Sequence, residues 1–401
     1  MGSSQAASRA ARPGRAVHAI WGSELSPFAL KLRALFDYAG IPYRWLPAEG
    51  GRLENLRALR RVARAKRTRT AIRYPAMSEL DEYPLVPFLI EKGGDVYYDS
   101  SALARWIDDR HPPASGPLFP EEPAQAFLAR LIDEAFDEFG LYMVHHNRWV
   151  PSAATNDAGE RLAREFSRVL LPGMGGRFAR RFSRRQTRRL PYLFSVAPPE
   201  LAAVRPGVPA PRAPECFPET HRLLEETWEA YLDGMEAVLA NQPYLLGERF
   251  TAADASAYGQ LGMNLSDPTA ADRMRDRAPL THSWLCAIRD ARHAGSSGSL
   301  HLEGRLQGLV EIILRSFVPL MRQNQQAYRE ARQRGETLFN ESAFDAGRAL
   351  YDGTLLGKPF RSVVKSFQVQ VWSEIQAAWD ALSSEERNQL APLIGDGAAF
   401  G

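Results

Sequence analysis

Residues 86–90 read Val86-Pro87-Phe88-Leu89-Ile90, and ten residues later the chain continues as Asp99-Ser100-Ser101-Ala102-Leu103. Proline is rare where a sheet begins, because it lacks the amide hydrogen that a strand ladder uses. At the head of an apolar strand it marks a forced turn, which often contains a cis peptide bond. Such a turn can leave the backbone of Val86 free to contact a ligand.

The pair Asp99-Ser100 stands at the start of a predicted helix over residues 100–109. Side-chain and backbone donors at a helix N-terminus favour a bound carboxylate, so this pair indicates a binding site. Upstream, a predicted strand over residues 17–21 ends in the stretch Gly22–Phe28, and a predicted helix over residues 29–38 follows.

Together these residues resemble the N-terminal domain of cytosolic glutathione transferases, which has a thioredoxin-like fold. Ser26-Pro27-Phe28-Ala29, with Arg33, is similar to the serine form of that family's catalytic turn. Val86-Pro87 matches the family's cis-proline, and Asp99-Ser100 matches its motif for the γ-glutamyl end of glutathione. Far downstream, Leu246–Asp254 is similar to the capping box and staple of a core helix in the family's second domain.

The resemblance implies a glutathione site in which Ser26 is the catalytic residue. The residues implied to bind glutathione are Ser23, Phe28, Val86, Pro87, Asp99 and Ser100. A free thiol has a pKa near ~8.5 and is mostly protonated at neutral pH. A hydroxyl donor beside a helix N-terminus stabilises the thiolate. Ser23 is a competing donor, and Tyr43 and Tyr98 stay open as alternatives.

The same resemblance implies that glutathione serves as a co-substrate and that no metal is required. The turn carries a serine and no cysteine, which argues against thiol transfer through a mixed disulfide with the protein. His145-His146 is a poor pair of metal ligands, because adjacent residues of a helix point in different directions.

An arginine-rich segment, roughly residues 51–76, enlarges the region before Pro87. Its cations are Arg52, Arg57, Arg60, Arg61, Arg64, Lys66, Arg67, Arg69 and Arg73. Its apolar residues at helical spacing are Leu53, Leu56, Leu59 and Val62, which predicts a helix that packs these side chains and exposes the cations. As an alternative, one of the arginines clamps the glycine carboxylate of glutathione.

The predicted fold is an α/β thioredoxin-like N-terminal domain followed by an all-α glutathione transferase C-terminal domain with extra C-terminal helices. We expect a disordered tail over residues 1–15, the thioredoxin-like domain over 16–111, the helical domain over 121–294 and a helical extension over 295–401. An arginine-rich insertion occupies residues 150–217 of the helical domain. We interpret the insertion first as a surface excursion, and alternatively as a lid over the substrate site or a basic surface for acidic lipids or partners.

Two apolar stripes mark the extension, one over residues 302–317 and one over residues 367–379. Their strength predicts two amphipathic helices that pack on the helical domain. Pro319 is expected to kink the first of them.

Composition is that of an ordinary soluble protein, with 45% hydrophobic and 24% charged residues in 401. The net charge of +3 is too small to indicate a nucleic-acid or membrane partner by itself. Cys216 and Cys286 are far apart and form neither a disulfide framework nor a zinc motif, which suits a reducing cytosol. We therefore expect a cytoplasmic protein.

The leading functional hypothesis is a detoxification enzyme, a homodimer that conjugates the thiolate of glutathione to an apolar electrophile. The alternative is a non-catalytic protein of the same fold, which binds a protein partner or a membrane surface through its basic insertion. Retention on glutathione followed by turnover of an electrophile would favour the enzyme.

Overall fold

The computed structural model describes residues 17–68, 86–201 and 214–401. The predicted tail over residues 1–15 lies outside these ranges, as do Arg69, Arg73 and part of the insertion. In the described ranges, no helix combines the length and the apolar character that crossing a membrane requires.

A four-stranded mixed sheet forms the centre of the first domain. Its strands are β1 (His18–Trp21), β2 (Tyr43–Leu46), β3 (Phe88–Ile90) and β4 (Val96–Tyr98). They lie in the order β2-β1-β3-β4, with β1 parallel to β2 and antiparallel to β3. The helices of this domain are α1 (Pro27–Tyr38), α2 (Arg52–Thr68) and α3 (Ser100–Arg110). The predicted α/β domain is confirmed.

The two faces of the sheet are covered by different helices, because successive strand residues point to opposite sides. Ile20 and Leu89 pack with α1 and α3 in the main core, which continues into the helical domain. Trp21 and Phe88 pack instead against α2, in a second and smaller core. The end of β1 and the start of β3 therefore lie beside the head of α1, where the site residues are expected.

The prediction of which apolar residues of α2 pack inward is wrong for three of the four. Of the four apolar residues at helical spacing, Val62 is buried and the three leucines are exposed. The buried positions are Asn55, Ala58, Val62 and Ala65. Alanines fit there because the rings of Trp21 and Phe88 already fill this face of the sheet. Asn55 fixes the rotation of the helix, since its amide donates to the carbonyl of Pro47 at 2.9 Å.

The helical domain surrounds one completely buried helix. Its helices are α4 (Pro123–Ala135), α5 (Leu141–Trp149), α6 (Ala158–Glu165), α7 (Gly175–Arg188), α8 (His221–Leu239), α9 (Ala252–Met263), α10 (Pro268–Arg277) and α11 (Pro279–Arg289). Every residue of α9 is buried, and α9 packs along α1. Gly259 permits this approach, because a Cβ there would lie 2.7 Å from the carbonyl oxygen of Pro27. The head of α1 is thus fixed against the second domain.

The capping box predicted at the start of α9 is present. Asp254 accepts the backbone amide of Thr251 at 2.9 Å, and Phe250 is buried where a staple residue belongs. Such a cap contributes about 1 kcal/mol to stability. This motif serves folding, since it lies outside the candidate site described below.

The extension packs on the helical domain, as predicted. Its elements are α12 (Gln307–Arg315), α13 (Phe317–Gln333), α14 (Glu341–Asp345), β5 (Leu350–Leu355), β6 (Lys358–Val363), α15 (Ser366–Asp380) and α16 (Ser384–Ile394). α12 lies on α8, and both α15 and α16 lie on α4. The hairpin β5–β6 was not predicted.

The disruption expected from Pro319 occurs a few residues earlier, as a break between α12 and α13 at Ser316. A proline clashes with the carbonyl four residues before it, here that of Arg315, the last residue of α12. Proline is tolerated in the first turn of a helix, which is where Pro319 stands in α13.

Candidate active site

A cavity of about 520 Å³ opens between the first domain and the helices. All seven residues that the sequence predicted for the site line it, and they are Ser23, Ser26, Phe28, Val86, Pro87, Asp99 and Ser100. They come from three separate turns, at the ends of β1 and β4 and at the start of β3. The sheet therefore brings together residues that are up to 77 positions apart in the chain (from 23 to 100).

Ser26 caps the N-terminus of α1 and faces Val86 across the cavity. Its Oγ accepts the backbone amide of Ala29 at 3.3 Å and lies 3.4 Å from the carbonyl oxygen of Val86, to which it can donate. The Val86–Pro87 peptide bond is cis, as predicted. The half-buried hydroxyl of Ser26 thus stands at the positive end of a helix, beside the backbone of the proline turn.

The competing hydroxyl donors are placed less favourably. Ser23 is only 3% exposed, and its Oγ accepts the backbone amide of Leu25 at 3.1 Å. Tyr43 donates to Asp37 at 3.0 Å and is not part of the cavity wall, whereas Tyr98 is. The geometry therefore favours Ser26, and of the three competing donors Ser23 and Tyr98 line the cavity.

Asp99 caps the N-terminus of α3, lines the cavity and has a raised pKa. Its backbone has a φ of 78°, a conformation that aspartate adopts more readily than most residues, and its Oδ1 accepts the amide of Ala102 at 2.8 Å. Burial raises the pKa of Asp99 to about 6, against the opposing effect of that amide. A cationic ligand group beside this carboxylate would reverse the effect of burial.

A buried ion cluster lies behind Asp99 and joins the two domains. The ammonium of Lys31 in α1 is 2.7 Å from a carboxylate oxygen of Asp133 and 2.7 Å from one of Asp137. It is also 2.7 Å from Ser101 Oγ at the start of α3. Ser256 of α9 donates to Asp133 at 2.5 Å. The cluster therefore fixes α1, α3, α4 and α9 relative to one another.

The acids of this cluster make one end of the cavity strongly acidic. Asp137, Glu134 and Glu138 line the cavity together with Asp99. Burial raises the pKa of Glu134, and the neighbouring Asp133 raises it further. Buried carboxylates close to one another favour a bound ammonium group, because its positive charge would offset their negative charge in place of water.

The acidic end was not predicted from the sequence, although a signal exists. Asp133-Glu134 and Asp137-Glu138 recur four positions apart within an otherwise apolar helical stretch. A π-helical turn, Phe136–Gly140, joins α4 to α5 at this point. Turns of that kind are frequent at functional sites.

Among the described cations of α2, Lys66 lines the cavity, whereas the arginines do not line it. Its ammonium lies 4.9 Å from the centre of the Phe88 ring, and burial lowers its pKa. The alternative that an arginine of this segment clamps glutathione stays a prediction for Arg69 and Arg73, which lie outside the described residues.

The insertion forms one wall of the cavity, so interpreting it as a surface excursion is wrong. Its residues in the wall are Leu162, Phe166, Phe182, Arg185, Gln186, Arg189 and Leu193. The ring of Phe166 meets that of Trp21 edge-on, with the ring centres 5.9 Å apart. Arg168 donates to the carbonyl of Gly50 at 2.7 Å. The insertion thus spans from the helical domain to the first domain.

The extension contributes another part of the wall and is tied to the insertion by an ion cluster. Its residues in the wall are Phe339, Lys365, Ser366, Phe367 and Gln368. Three arginines of the insertion, Arg185, Arg188 and Arg189, converge on Glu341 of α14, with separations of 2.9–3.4 Å. The two segments that extend the domain therefore enclose the cavity together.

Replacing Glu341 with glutamine is expected to speed backbone amide exchange in α7 about fivefold. The reason is that three guanidinium groups lose a shared carboxylate, and a partly exposed ion network contributes about 1 kcal/mol. Hydrogen–deuterium exchange with mass spectrometry measures this. Glu336→Gln is the control, since Glu336 pairs with Arg348 inside the extension. Unchanged exchange in α7 would mean that Glu341 does not hold the insertion.

The adjacent histidines are buried side chains with separate partners. His146 lies 2.5 Å from Ser195 Oγ and 2.8 Å from His221 Nδ1, and burial lowers its pKa. His145 lines the cavity, contacts Gln186 at 3.2 Å, and has a pKa lowered to about 3 by burial. Both are therefore neutral at physiological pH.

Comparison with protein families gives two matches. The chain matches the glutathione S-transferase N-terminal domain over residues 21–115 and the glutathione S-transferase C-terminal domain over residues 212–285. No curated protein matches the sequence.

Several solved structures are similar in outline. A glutathione S-transferase from Rhodospirillum rubrum is 15% identical, with 73% of this chain and 91% of that chain covered and a TM-score of 0.35. One from Methylobacterium radiotolerans, in complex with glutathione sulfonate, is 16% identical, with 71% and 98% covered and a TM-score of 0.37. One from Ceriporiopsis subvermispora, in complex with glutathione, is 18% identical, with 69% and 97% covered and a TM-score of 0.40.

Proposed function

Because both matched domains make this chain glutathione S-transferase-like, we propose that it binds glutathione in the cavity and transfers its thiolate to an apolar electrophile. One juxtaposition carries the proposal. The hydroxyl of Ser26, the backbone of Val86 and the carboxylate of Asp99 face a single cavity, beside an acidic wall. Together these groups match the thiol, the peptide and the amino end of a γ-glutamyl tripeptide.

The sulfur of glutathione would lie at the N-terminus of α1, within reach of Ser26 Oγ. A hydroxyl donor and the positive end of a helix both favour the thiolate over the thiol. Each unit by which the thiol pKa falls corresponds to about 1.4 kcal/mol of stabilisation of the anion. The thiolate then forms a carbon–sulfur bond, and the leaving group departs with the electron pair of the bond that breaks.

The remaining groups of glutathione find partners at the other edges of the cavity. Its ammonium group would meet Asp99 at the acidic end, and its γ-glutamyl carboxylate would meet Ser100 at the N-terminus of α3. The backbone of Val86 would hold the cysteinyl amide. Lys66 would hold the glycine carboxylate by charge.

The electrophile would occupy the apolar part of the cavity next to the sulfur. That part is lined by Leu141, Trp149, Leu162, Phe166 and Phe182. The insertion supplies three of these side chains, so it would act as a cover that excludes water from the reacting atoms. A surface open to water would leave an apolar electrophile poorly bound.

The proposal includes a cytoplasmic detoxification role and a homodimer, as the resemblance implies. The outer face of α4 cannot serve as the interface, because α15 and α16 of the same chain cover it. Arg130 of α4 pairs with Glu374 of α15 at 2.5 Å, and Phe127 packs against Trp379. A homodimer would therefore use another face.

Asp99→Asn is expected to weaken glutathione binding about 10- to 100-fold, since a hydrogen bond to a charged group contributes ~1.5–3 kcal/mol. Asparagine keeps the helix cap and tolerates the positive φ, so the fold should persist. Isothermal titration calorimetry measures the dissociation constant. Asp109→Asn, an exposed site on the same helix, is the control. A wild-type protein that fails to bind glutathione would favour the non-catalytic alternative.

Glutathione binding is expected to weaken below about pH 6, close to tenfold for each further pH unit. The pKa of Asp99 is about 6 in the free protein, and its protonation removes the charge that attracts the ammonium. Because the pKa of Asp99 in the folded protein is raised above the ordinary value of 3.8, the protein without glutathione becomes more stable against unfolding as the pH falls from about 6 towards 3.8. Calorimetric titrations at several pH values test this. Asp99→Asn should lack this component of the pH dependence, and an identical profile would contradict the role of Asp99.

A further inference from the structure

Five of the exposed large apolar side chains lie in two neighbouring parts of the chain. In α2, Leu53, Leu56 and Leu59 are 72%, 40% and 38% exposed. Between α6 and α7, Leu171 is 72% exposed and Met174 is 38% exposed. Their number and proximity mark a surface that can bury apolar area against something else.

Cations dominate α2 and α7, the helix that begins directly after Met174. Helix α2 carries seven arginines or lysines and a single acid, Glu54, which pairs with Arg44 at 3.3 Å. Helix α7 carries six arginines and no acid, and two of the six are engaged by Glu341. Within the described residues, Arg52, Arg57, Arg60 and Arg67 form no ion pair. The surface is therefore strongly positive as well as apolar.

The two parts lie side by side. Arg168, three residues before Leu171, donates to the carbonyl of Gly50, which lies two residues before the start of α2. Phe166 and Val169 pack against the small core to which Ala58 and Val62 of α2 belong. We call this surface the leucine–arginine face, formed by α2 and residues 168–184.

We propose that the leucine–arginine face docks on a membrane surface rich in anionic phospholipids. A helix with leucines set among arginines has the composition of segments that lie in the headgroup region, where apolar side chains enter the acyl boundary and cations meet lipid phosphates. The charge of the face complements such a surface. The exposed leucines of the face distinguish lipid from nucleic acid, whose backbone offers no apolar layer for them.

Vesicle flotation with the full chain tests the proposal. Wild type is expected to float with phosphatidylcholine vesicles that contain phosphatidylglycerol, and to stay behind with pure phosphatidylcholine. Binding should be strong at about 0.01 M salt and largely lost at about 1 M, because the Debye length shrinks from ~30 Å to ~3 Å. The triple variant Leu53→Gln, Leu56→Gln, Leu171→Gln should bind at least ~10-fold more weakly, since it loses apolar insertion without changing charge.

The control variant is Leu280→Gln with Leu338→Gln, two exposed leucines in other parts of the chain, at 44% and 39% exposure. It should bind vesicles like wild type. No flotation with anionic vesicles at low salt would overturn the proposal, and so would an equal loss in the triple variant and the control. A triple variant that turns a dimer into a monomer without loss of flotation would overturn it too, and would assign the face to a second copy of the chain.

Glutathione binding gives a separate readout. None of the three substituted leucines lines the cavity. A triple variant that binds glutathione normally but no longer floats supports docking, whatever the outcome for the enzyme.

Discussion

Replacing Ser26 with alanine is expected to lower turnover of glutathione with a chlorodinitrobenzene-type electrophile by ~10²-fold or more, the scale of losing one preorganised donor. The hydroxyl lies at the N-terminus of α1, 3.4 Å from the carbonyl of Val86. Without it the bound thiol keeps a higher pKa and is mostly protonated at neutral pH. The loss should appear in kcat, because the rest of glutathione keeps its contacts. Steady-state kinetics at neutral pH measure this.

Two further variants separate this role from helix capping. Ser26→Ala also removes a cap worth about 1 kcal/mol of stability, which thermal unfolding detects. Ser26→Thr keeps both the cap and the donor, so it should retain much of the turnover. Ser23→Ala is the matched control, since the Ser23 hydroxyl accepts the amide of Leu25. A larger loss for Ser23→Ala than for Ser26→Ala would assign the thiol donor to Ser23.

Replacing Lys31 with methionine is expected to lower the free energy of unfolding by about 3–5 kcal/mol, because it leaves two buried carboxylates without their cation. Lys31 is fully buried, and its ammonium lies 2.7 Å from both Asp133 and Asp137. Urea denaturation followed by circular dichroism measures the change. Lys358→Met is the control, since that lysine pairs with Glu226 at the surface and should cost at most about 1 kcal/mol.

Two observations would identify the cause of the Lys31 effect. The deficit should shrink at acidic pH, because protonation removes the uncompensated charge of Asp137, whose pKa burial already raises. Adding Asp137→Asn to Lys31→Met should recover part of the stability, since one of the two charges is removed permanently. A deficit that is independent of both pH and Asp137 would show that Lys31 contributes by packing alone.

The parts of the site that the sequence predicted are local turns. Pro87, Ser26 and Asp99 each impose a backbone feature on the residues beside them, so their roles in the fold can be inferred without knowing the tertiary structure. The sheet then brings the three turns to one cavity. The variants above test the ligand roles of these residues.

The features that escaped prediction depend on distant contacts. The rotation of α2 follows from Trp21 and Phe88 and from the hydrogen bonds of Asn55, whereas spacing alone favoured the leucines. The acidic end of the cavity forms only because α4 lies against α1, although the two helices are far apart in the chain.

The hairpin β5–β6 turns at Leu356-Gly357, where both residues have positive φ. Turns of this type usually carry Asn-Gly or Asp-Gly, so leucine hides the signal. A leucine with a φ of 48° is uncommon and is held here by the pairing of the two strands.

The most direct measurement is the pKa of the thiol in bound glutathione, followed by the ultraviolet absorbance of the thiolate as the pH is varied. We expect the thiol to titrate at least ~1 unit below its ordinary pKa of ~8.5 in the wild type, and near the ordinary value in Ser26→Ala. A bound thiol that titrates near ~8.5 in both proteins would contradict a thiolate stabilised at the head of α1.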